Sequence, residues 1–169
     1  MADRILRIRY GDNVSAENRF KSVVTYLQQL IEDGLRDEYV RRKAVSIVDR
    51  AGVKGHDELG EIQALIQYFQ GSFTTNTPND ELGMPLLFGD RGAYRYQKDP
   101  YGHELFQSPP KVLRDIQSGE SGADCDDIAA AAACCLAAAG YPAMLMIVDA
   151  DAGNPGQYNH VMLATRTLQ

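Results

Sequence analysis

The first seventy residues contain three segments in which apolar residues recur every three or four positions, as on one face of a helix. The segments are 15–33, 37–50 and 57–69. We therefore predict an N-terminal helical layer over residues 1–70, preceded at Arg4–Tyr10 by a short strand or an ordered arm. The repeating apolar residues are Phe20, Val23, Val24, Leu27, Leu30, Ile31, Val40, Ala44, Ile47, Val48, Leu59, Ile62, Leu65, Ile66 and Phe69.

Turn-forming residues then break the periodicity over residues 71–99, which predicts either a long surface loop or an inserted hairpin. Pro109–Ser118 has the pattern of a short helix, with a proline near its first position. An alanine-rich segment follows from Cys125 to Ala139 and is apolar around its whole circumference, which indicates a central buried helix. We expect Gly140 to end that helix.

Two apolar segments near the end of the chain predict an antiparallel hairpin. Ala143–Val148 is a continuous apolar strand, residues 149–157 are rich in turn formers, and Tyr158–Thr165 reads as the partner strand. Helices first and strands last indicate an α+β protein, which we take as a single domain over residues 1–169.

Composition limits the possible partners. The net charge is −6, and the densest basic stretch, 41–43, lies on an amphipathic helix face, so no nucleic-acid partner is expected. The N-terminus lacks the apolar core of a signal peptide, and the alanine helix is too short to span a bilayer. Three cysteines without a secretory context suit a reducing compartment, so we expect a cytoplasmic protein without a membrane partner.

Cys125 is the candidate nucleophile because it lies at the start of the alanine helix. A thiol at a helix N-terminus is favoured as thiolate, which is the reactive form. We predict that Asp124 is the N-cap and that Asp127 is its capping-box partner. The carboxylates of Asp124, Asp126 and Asp127 oppose thiolate formation. We expect Asp126 and Asp127 to point to solvent or to cap backbone amides, so that a nearby imidazolium outweighs them.

His160 is the candidate base because it lies on the strand that follows the cysteine helix, where packing of helix on sheet would bring the two together. His56 and His103 are interpreted as solvated turn residues. Cys134 and Cys135, in the middle of the helix, are interpreted as buried small apolar residues. No Cys or His pair has zinc-ligand spacing and no glycine segment has the context of a phosphate loop, so we expect no metal and no cofactor.

Three motifs, Gly122-Ala-Asp-Cys-Asp-Asp-Ile-Ala129, Ala139-Gly-Tyr-Pro-Ala143 and Asn159-His-Val161, together resemble the transglutaminase-like superfamily of papain-type cysteine enzymes. The upstream runs 94–100 and 106–109 are similar to its bacterial and phage-associated branch. The resemblance covers Tyr94 to Ala164. It implies a cysteine-bearing helix packed on a small antiparallel sheet, in a core that we expect to be truncated at the C-terminus.

The resemblance also implies roles for individual residues. Cys125 would be the nucleophile and His160 the general base and acid, with the Cys125 backbone N–H as an oxyanion donor. Gln107 or Tyr96 would supply a side-chain oxyanion donor. The Asp that orients the histidine in this family lies on a further strand, and no residue of this chain matches it.

The expected reaction is attack on an amide bond of a protein or peptide through a thioester, as a peptidase or amidase, a deamidase or an acyl transferase. One alternative is a non-catalytic binding or assembly module, possibly phage-related, that keeps the fold with an incomplete site. Another is a purely structural cysteine in a helical bundle. The sequence does not decide the oligomeric state.

Overall fold

The computed structural model describes residues 5–9, 14–71, 95–97, 99–100, 103–118, 122–150, 153 and 159–168. These residues form an α+β structure, as predicted. Its helices are α1 (Ala16–Leu35), α2 (Glu38–Arg50), α3 (Glu58–Gly71), α4 (Pro109–Ser118) and α5 (Cys125–Ala138). Its strands are β1 (Ile5–Arg9), β2 (Arg95–Tyr96), β3 (His103–Gln107), β4 (Gly122–Ala123), β5 (Ala143–Val148) and β6 (His160–Thr165).

The helix ends follow local capping chemistry. Ser15 caps α1 by accepting a hydrogen bond from the Asn18 backbone N–H at 3.3 Å, which confirms the predicted start. At the end of α5, Gly140 adopts a φ of 94°, and the Tyr141 N–H donates to the Leu136 carbonyl at 2.9 Å. This is a Schellman termination, which requires the left-handed conformation that glycine provides.

Helix α5 is the central element of the structure, as its uninterrupted apolar surface predicts. It contacts all four other helices and strands β3, β5 and β6. Every residue from Ala129 to Leu136 is buried. Alanine and cysteine side chains are small, so the surrounding elements approach the α5 backbone closely and fix its N-terminal residue in place.

Strand β1 pairs with β3 in antiparallel register, with Ile5 opposite Gln107 and Arg9 opposite His103. Of the two predictions for the N-terminal segment, a short strand or an ordered arm, the short strand is confirmed. The interpretation of His103 as a solvated turn residue is wrong, because His103 begins β3 and is half-buried. Its Nε2 atom accepts a 2.8 Å hydrogen bond from the Arg7 guanidinium. Strand β3 was missed because its stability comes from pairing with a distant segment.

The predicted C-terminal hairpin is present, with β5 and β6 paired antiparallel from Ala143–Thr165 to Val148–His160. Most of the predicted turn at 149–157 lies outside the described residues, as does Tyr158. The segment 72–94, predicted as a loop or hairpin, also lies outside them. Strand β2 pairs with β4 in parallel, so Tyr96 lies beside Ala123.

Two details of the helical layer differ from expectation. Helix α1 continues beyond residue 33, the predicted end of its segment, and Gly34 lies within its last turn, where it packs against other helices. Leu59, placed on the apolar face of α3, is 57% exposed. Within the described ranges, none of the helices combines the length and apolar character needed to cross a membrane.

Candidate functional site

Cys125 is the first residue of α5 and is half-buried, whereas Cys134 and Cys135 are fully buried. The two mid-helix cysteines therefore pack as small apolar residues, as predicted, and burial raises the pKa of Cys134 to about 12. Cys125 packs against a small apolar cluster that brings together α1, β3, α5 and β6. The buried members of this cluster are Leu27, Phe106, Ala129, Ala130 and Val161.

Strand β6 packs on α5 and runs in the same direction as the helix. Val161 belongs to the cluster that contains Ala129 and Ala130, whereas Leu163 packs against the cluster formed further along α5. His160, the first residue of β6, therefore lies at the Cys125 end of the helix.

The alternation of side chains along β6 assigns His160 to the sheet face opposite Val161. Val161 is 8% exposed and faces the helix, whereas Met162, which shares the face of His160, is 44% exposed. His160 itself is half-buried. The structure thus places Cys125 and His160 at the same end of α5, with His160 on the outer face of the hairpin.

The aspartates that flank Cys125 are buried, so the first of the two alternatives predicted for Asp126 and Asp127, that they point to solvent, does not hold. Asp126 is 5% exposed and Asp127 is 1% exposed. The Asp127 carboxylate accepts a 2.6 Å hydrogen bond from the Gln107 backbone N–H, so it joins α5 to β3. The Asp126 carboxylate accepts from the Asp127 backbone N–H at 2.7 Å. Both carboxylates thus accept hydrogen bonds from backbone N–H groups, which is the second of the two predicted alternatives.

Asp124 occupies the N-cap position of α5, but its side chain forms no capping hydrogen bond. The predicted capping box with Asp127 is therefore wrong, because Asp127 is engaged with β3 instead. Asp124 is 8% exposed, and its Oδ1 atom is buried without a hydrogen-bond partner among the described residues. A buried carboxylate oxygen without a partner is costly, so this atom needs a further explanation.

The pKa values in this region are raised by burial and by mutual repulsion. Burial, a hydrogen bond with Asp124 and the charges of Asp124 and Asp127 raise the pKa of Asp126 to about 11. Burial also raises the pKa of Asp127 well above its usual range. Burial, Asp99 and Asp124 raise the pKa of Glu104 to about 7. Five carboxyl groups from three parts of the chain thus form one acidic region.

Gln107 and Tyr96, the predicted side-chain oxyanion donors, lie close to the Cys125 end of α5. Gln107 is 8% exposed, and its Nε2 donates to the Gly122 carbonyl at 2.8 Å. The side chain of Tyr96 is outside the described part of the structure, but its backbone pairs with Ala123, two residues before Cys125. The oxyanion role of either residue stays a prediction.

The three aspartates could jointly hold a cation. One carboxylate oxygen from each of Asp124, Asp126 and Asp127 lies within 4.8 Å of the others. Sequence reasoning missed this arrangement because it treated the three residues as caps or solvated charges. The available signal was their density: three carboxylates within four residues at the start of a helix with no polar face.

Comparisons of the chain with models of known protein families, with curated proteins and with solved structures give no match.

Proposed function

We propose that this chain is a transglutaminase-like cysteine enzyme in which Cys125 attacks an amide carbon of a protein or peptide. The observation that carries the proposal is the position of Cys125, half-buried at the first residue of a central helix that contacts each of the other helices in the described part of the structure. A nucleophile needs a fixed position and partial access to substrate, and this cysteine alone of the three has both.

The proposed reaction proceeds through a thioester. The Cys125 thiolate bonds to the amide carbonyl carbon, and the resulting oxyanion is stabilised by the backbone N–H of Cys125 at the start of the helix. The C–N bond then breaks, and protonated His160 donates its proton to the departing amine. Water, deprotonated by His160, hydrolyses the thioester, unless an amine takes the place of water and acyl transfer results.

One feature of the described structure opposes an unmodified dyad. The strand register assigns His160 to the outer face of the hairpin, so its imidazole must reach Cys125 around the end of β6. A non-catalytic binding or assembly module is therefore the second candidate, and the face assignment of His160 is the observation that favours it.

Acylation of Cys125 distinguishes the two candidates. We would incubate the folded protein with a peptide p-nitrophenyl ester and, separately, with a glutamine-containing peptide, and follow intact mass and the modified residue by mass spectrometry. We expect a thioester at Cys125, its loss in Cys125→Ala and its retention in Cys135→Ala. His160→Ala should slow the amide reaction by about 10²- to 10⁴-fold, the usual contribution of a general acid–base group.

Each outcome assigns one element of the proposal. Acylation that is unaffected by His160→Ala keeps the nucleophile but refutes the dyad. The absence of any Cys125 adduct with both substrates, in protein shown to be folded by circular dichroism, refutes the enzyme and leaves the binding module.

A further inference from the structure

Gln107, the last residue of β3, forms hydrogen bonds on both sides of Cys125 in the sequence. Its backbone N–H donates to Oδ1 of Asp127 at 2.6 Å, and its side-chain Nε2 donates to the Gly122 carbonyl at 2.8 Å. Gly122 lies three residues before Cys125, and Asp127 lies two residues after it. A single residue of β3 is therefore bonded to the backbone before the cysteine and to the first helical turn after it.

The side-chain amide of Gln107 forms a further hydrogen bond with the Asp127 carboxylate. This bond favours the ionised form of Asp127 and so acts against its raised pKa, which makes the amide nitrogen the donor. An amide nitrogen carries two N–H groups, and the Gly122 carbonyl and the Asp127 carboxylate are two acceptors for them. In this arrangement neither N–H group is left to stabilise an oxyanion.

These hydrogen bonds join elements that are themselves held in place. Gln107 is 8% exposed and Asp127 is 1% exposed. Gln107 pairs with Ile5 of β1 and lies two residues before the buried start of α4. Asp127 lies in the first turn of α5, the central helix. Hydrogen bonds between buried groups are stronger than those exposed to water, so they restrict movement of this turn relative to β3.

One feature of Gln107 is unfavourable for stability and argues against a purely structural role. Its Oε1 atom is buried and has no hydrogen-bond partner among the described residues. A buried acceptor without a partner is destabilising, and an apolar side chain of similar size would not have this disadvantage. Local departures from the most stable choice are expected where a residue serves function.

We propose that Gln107 and Asp127 are positioning residues that hold Cys125 in the geometry needed for nucleophilic attack. A shift of the first turn of α5 relative to β3 or β4 would break at least one of the hydrogen bonds of Gln107. This inference rests on the proposed role of Cys125 as a nucleophile. It gives Gln107 a role different from that of the oxyanion donor implied by the family resemblance.

Gln107→Met tests the proposal, because methionine is close to glutamine in size but has no hydrogen-bond donor. Two reactions of Cys125 would be followed by peptide mapping: acylation by a peptide p-nitrophenyl ester, and alkylation by iodoacetamide from about pH 5 to pH 10. Misplacement of the thiol should slow acylation by up to about 10²-fold. It should also raise the midpoint of the alkylation pH profile by about 0.2–0.7 units, since a less ordered helix terminus stabilises the thiolate less.

Alkylation separates positioning from direct stabilisation of an oxyanion. The thiolate displaces iodide from a saturated carbon of iodoacetamide, and no oxyanion forms. A Gln107 side chain that only donated to an oxyanion would therefore affect acylation alone. Gln63→Met makes the same replacement at an exposed position of α3, so it is the matched control and should react as the wild type does.

Asp127→Asn is the second variant, and it also serves if Gln107→Met does not fold. It keeps the shape of the side chain but replaces one acceptor oxygen by an amide nitrogen, so it should slow acylation as well. Combined with Gln107→Met it should add little further loss, because the two side chains act through the same hydrogen bonds.

The proposal is overturned if the folded variants acylate at the rate of Gln63→Met. It is also overturned if Gln107→Met slows acylation without moving the alkylation midpoint, which is the result for a direct oxyanion donor. Circular dichroism would establish that each variant is folded. If wild-type Cys125 forms no acyl adduct, the proposed enzyme activity fails instead, and the alkylation midpoint alone decides whether Gln107 orders the Cys125 end of α5.

Discussion

Replacing Gly34 by alanine tests how closely α1, α4 and α5 approach one another behind the candidate site. Gly34 is buried in the last turn of α1. A Cβ atom added there would lie 2.7 Å from Sγ of Cys134 on α5 and 2.9 Å from Cγ of Pro109 on α4. Contacts below 3.0 Å are not tolerated, and both neighbours are buried, so neither can move into solvent.

Two opposing effects set the size of the change. Alanine is better than glycine in a helix interior by about 1 kcal/mol. Forcing an extra methyl group into a packed core costs about 1–3 kcal/mol, and two short contacts to buried side chains place Gly34→Ala in the upper part of that range. We therefore expect the free energy of unfolding to fall by about 1–2 kcal/mol. The melting temperature should fall by about 2–4 °C per kcal/mol.

A double-mutant cycle assigns the effect to the α1–α5 contact. Unfolding in urea, followed by helical circular dichroism, would be measured for Gly34→Ala, Cys134→Ala and the double variant. Removing Sγ relieves one of the two contacts, so the double variant should be more stable than the sum of the single effects predicts, by about 1 kcal/mol. The remaining contact with Pro109 prevents full rescue. Gln29→Ala, an exposed substitution on α1, should change stability little.

The outcome that refutes this reasoning is a Gly34→Ala variant as stable as the wild type or more stable. Helix propensity would then dominate, and α1 could not approach α5 as closely as the structure has it. If the stability changes of Gly34→Ala and Cys134→Ala simply add in the double variant, Gly34→Ala still destabilises the protein, but contact with Cys134 is not the reason.

Three further predictions concern other parts of the molecule. The pKa of Glu104, about 7 and thus above its unfolded value near 4.5, makes the folded state less stable as pH rises from 4.5 to 7. Between pH 5 and pH 8 the free energy of unfolding, measured in urea, should therefore fall by about 1–2 kcal/mol less in Glu104→Gln than in the wild type, after allowance for solvent exposure. An equal fall in both proteins would contradict the raised pKa of Glu104. Iodoacetamide should modify Cys125 in the native protein, but the two mid-helix cysteines only after unfolding, and peptide mapping that finds all three modified together would contradict their burial. Leu136→Ala should lower the free energy of unfolding by about 2–5 kcal/mol because Leu136 is 1% exposed. Leu59→Ala, on the surface of α3, should change it by less than about 0.5 kcal/mol. Equal losses of stability in the two variants would contradict the burial of Leu136.

The helices could be predicted from sequence because their signals are local. Ser15 and Asp37 cap α1 and α2 with their own side chains, and Gly140 ends α5 through its left-handed backbone. Each of these effects acts within one turn of helix. The hairpin of β5 and β6 was also predictable, since its two apolar strands are separated only by a short segment rich in turn formers.

The elements that sequence reasoning missed depend on distant partners. Strand β3 forms because β1, almost a hundred residues earlier, pairs with it. The role of Gly34 is visible only once Cys134 and Pro109 are placed beside it. Charged residues are seldom buried, so a sequence gives no reason to bury Asp127 until Gln107 supplies a backbone N–H to its carboxylate. In each case the deciding contact is tertiary.

The buried aspartates also change the electrostatic argument about Cys125. Three ionised carboxylates around the thiol would oppose its ionisation. Burial instead raises the pKa values of Asp126 and Asp127 well above their usual range, because a buried carboxyl group is more stable in its neutral form. Burial therefore disfavours the charged forms of the two groups that the sequence counts as negative charges beside the thiol. The flanking aspartates are for this reason a weaker argument against a reactive thiol at this helix terminus than the sequence indicates.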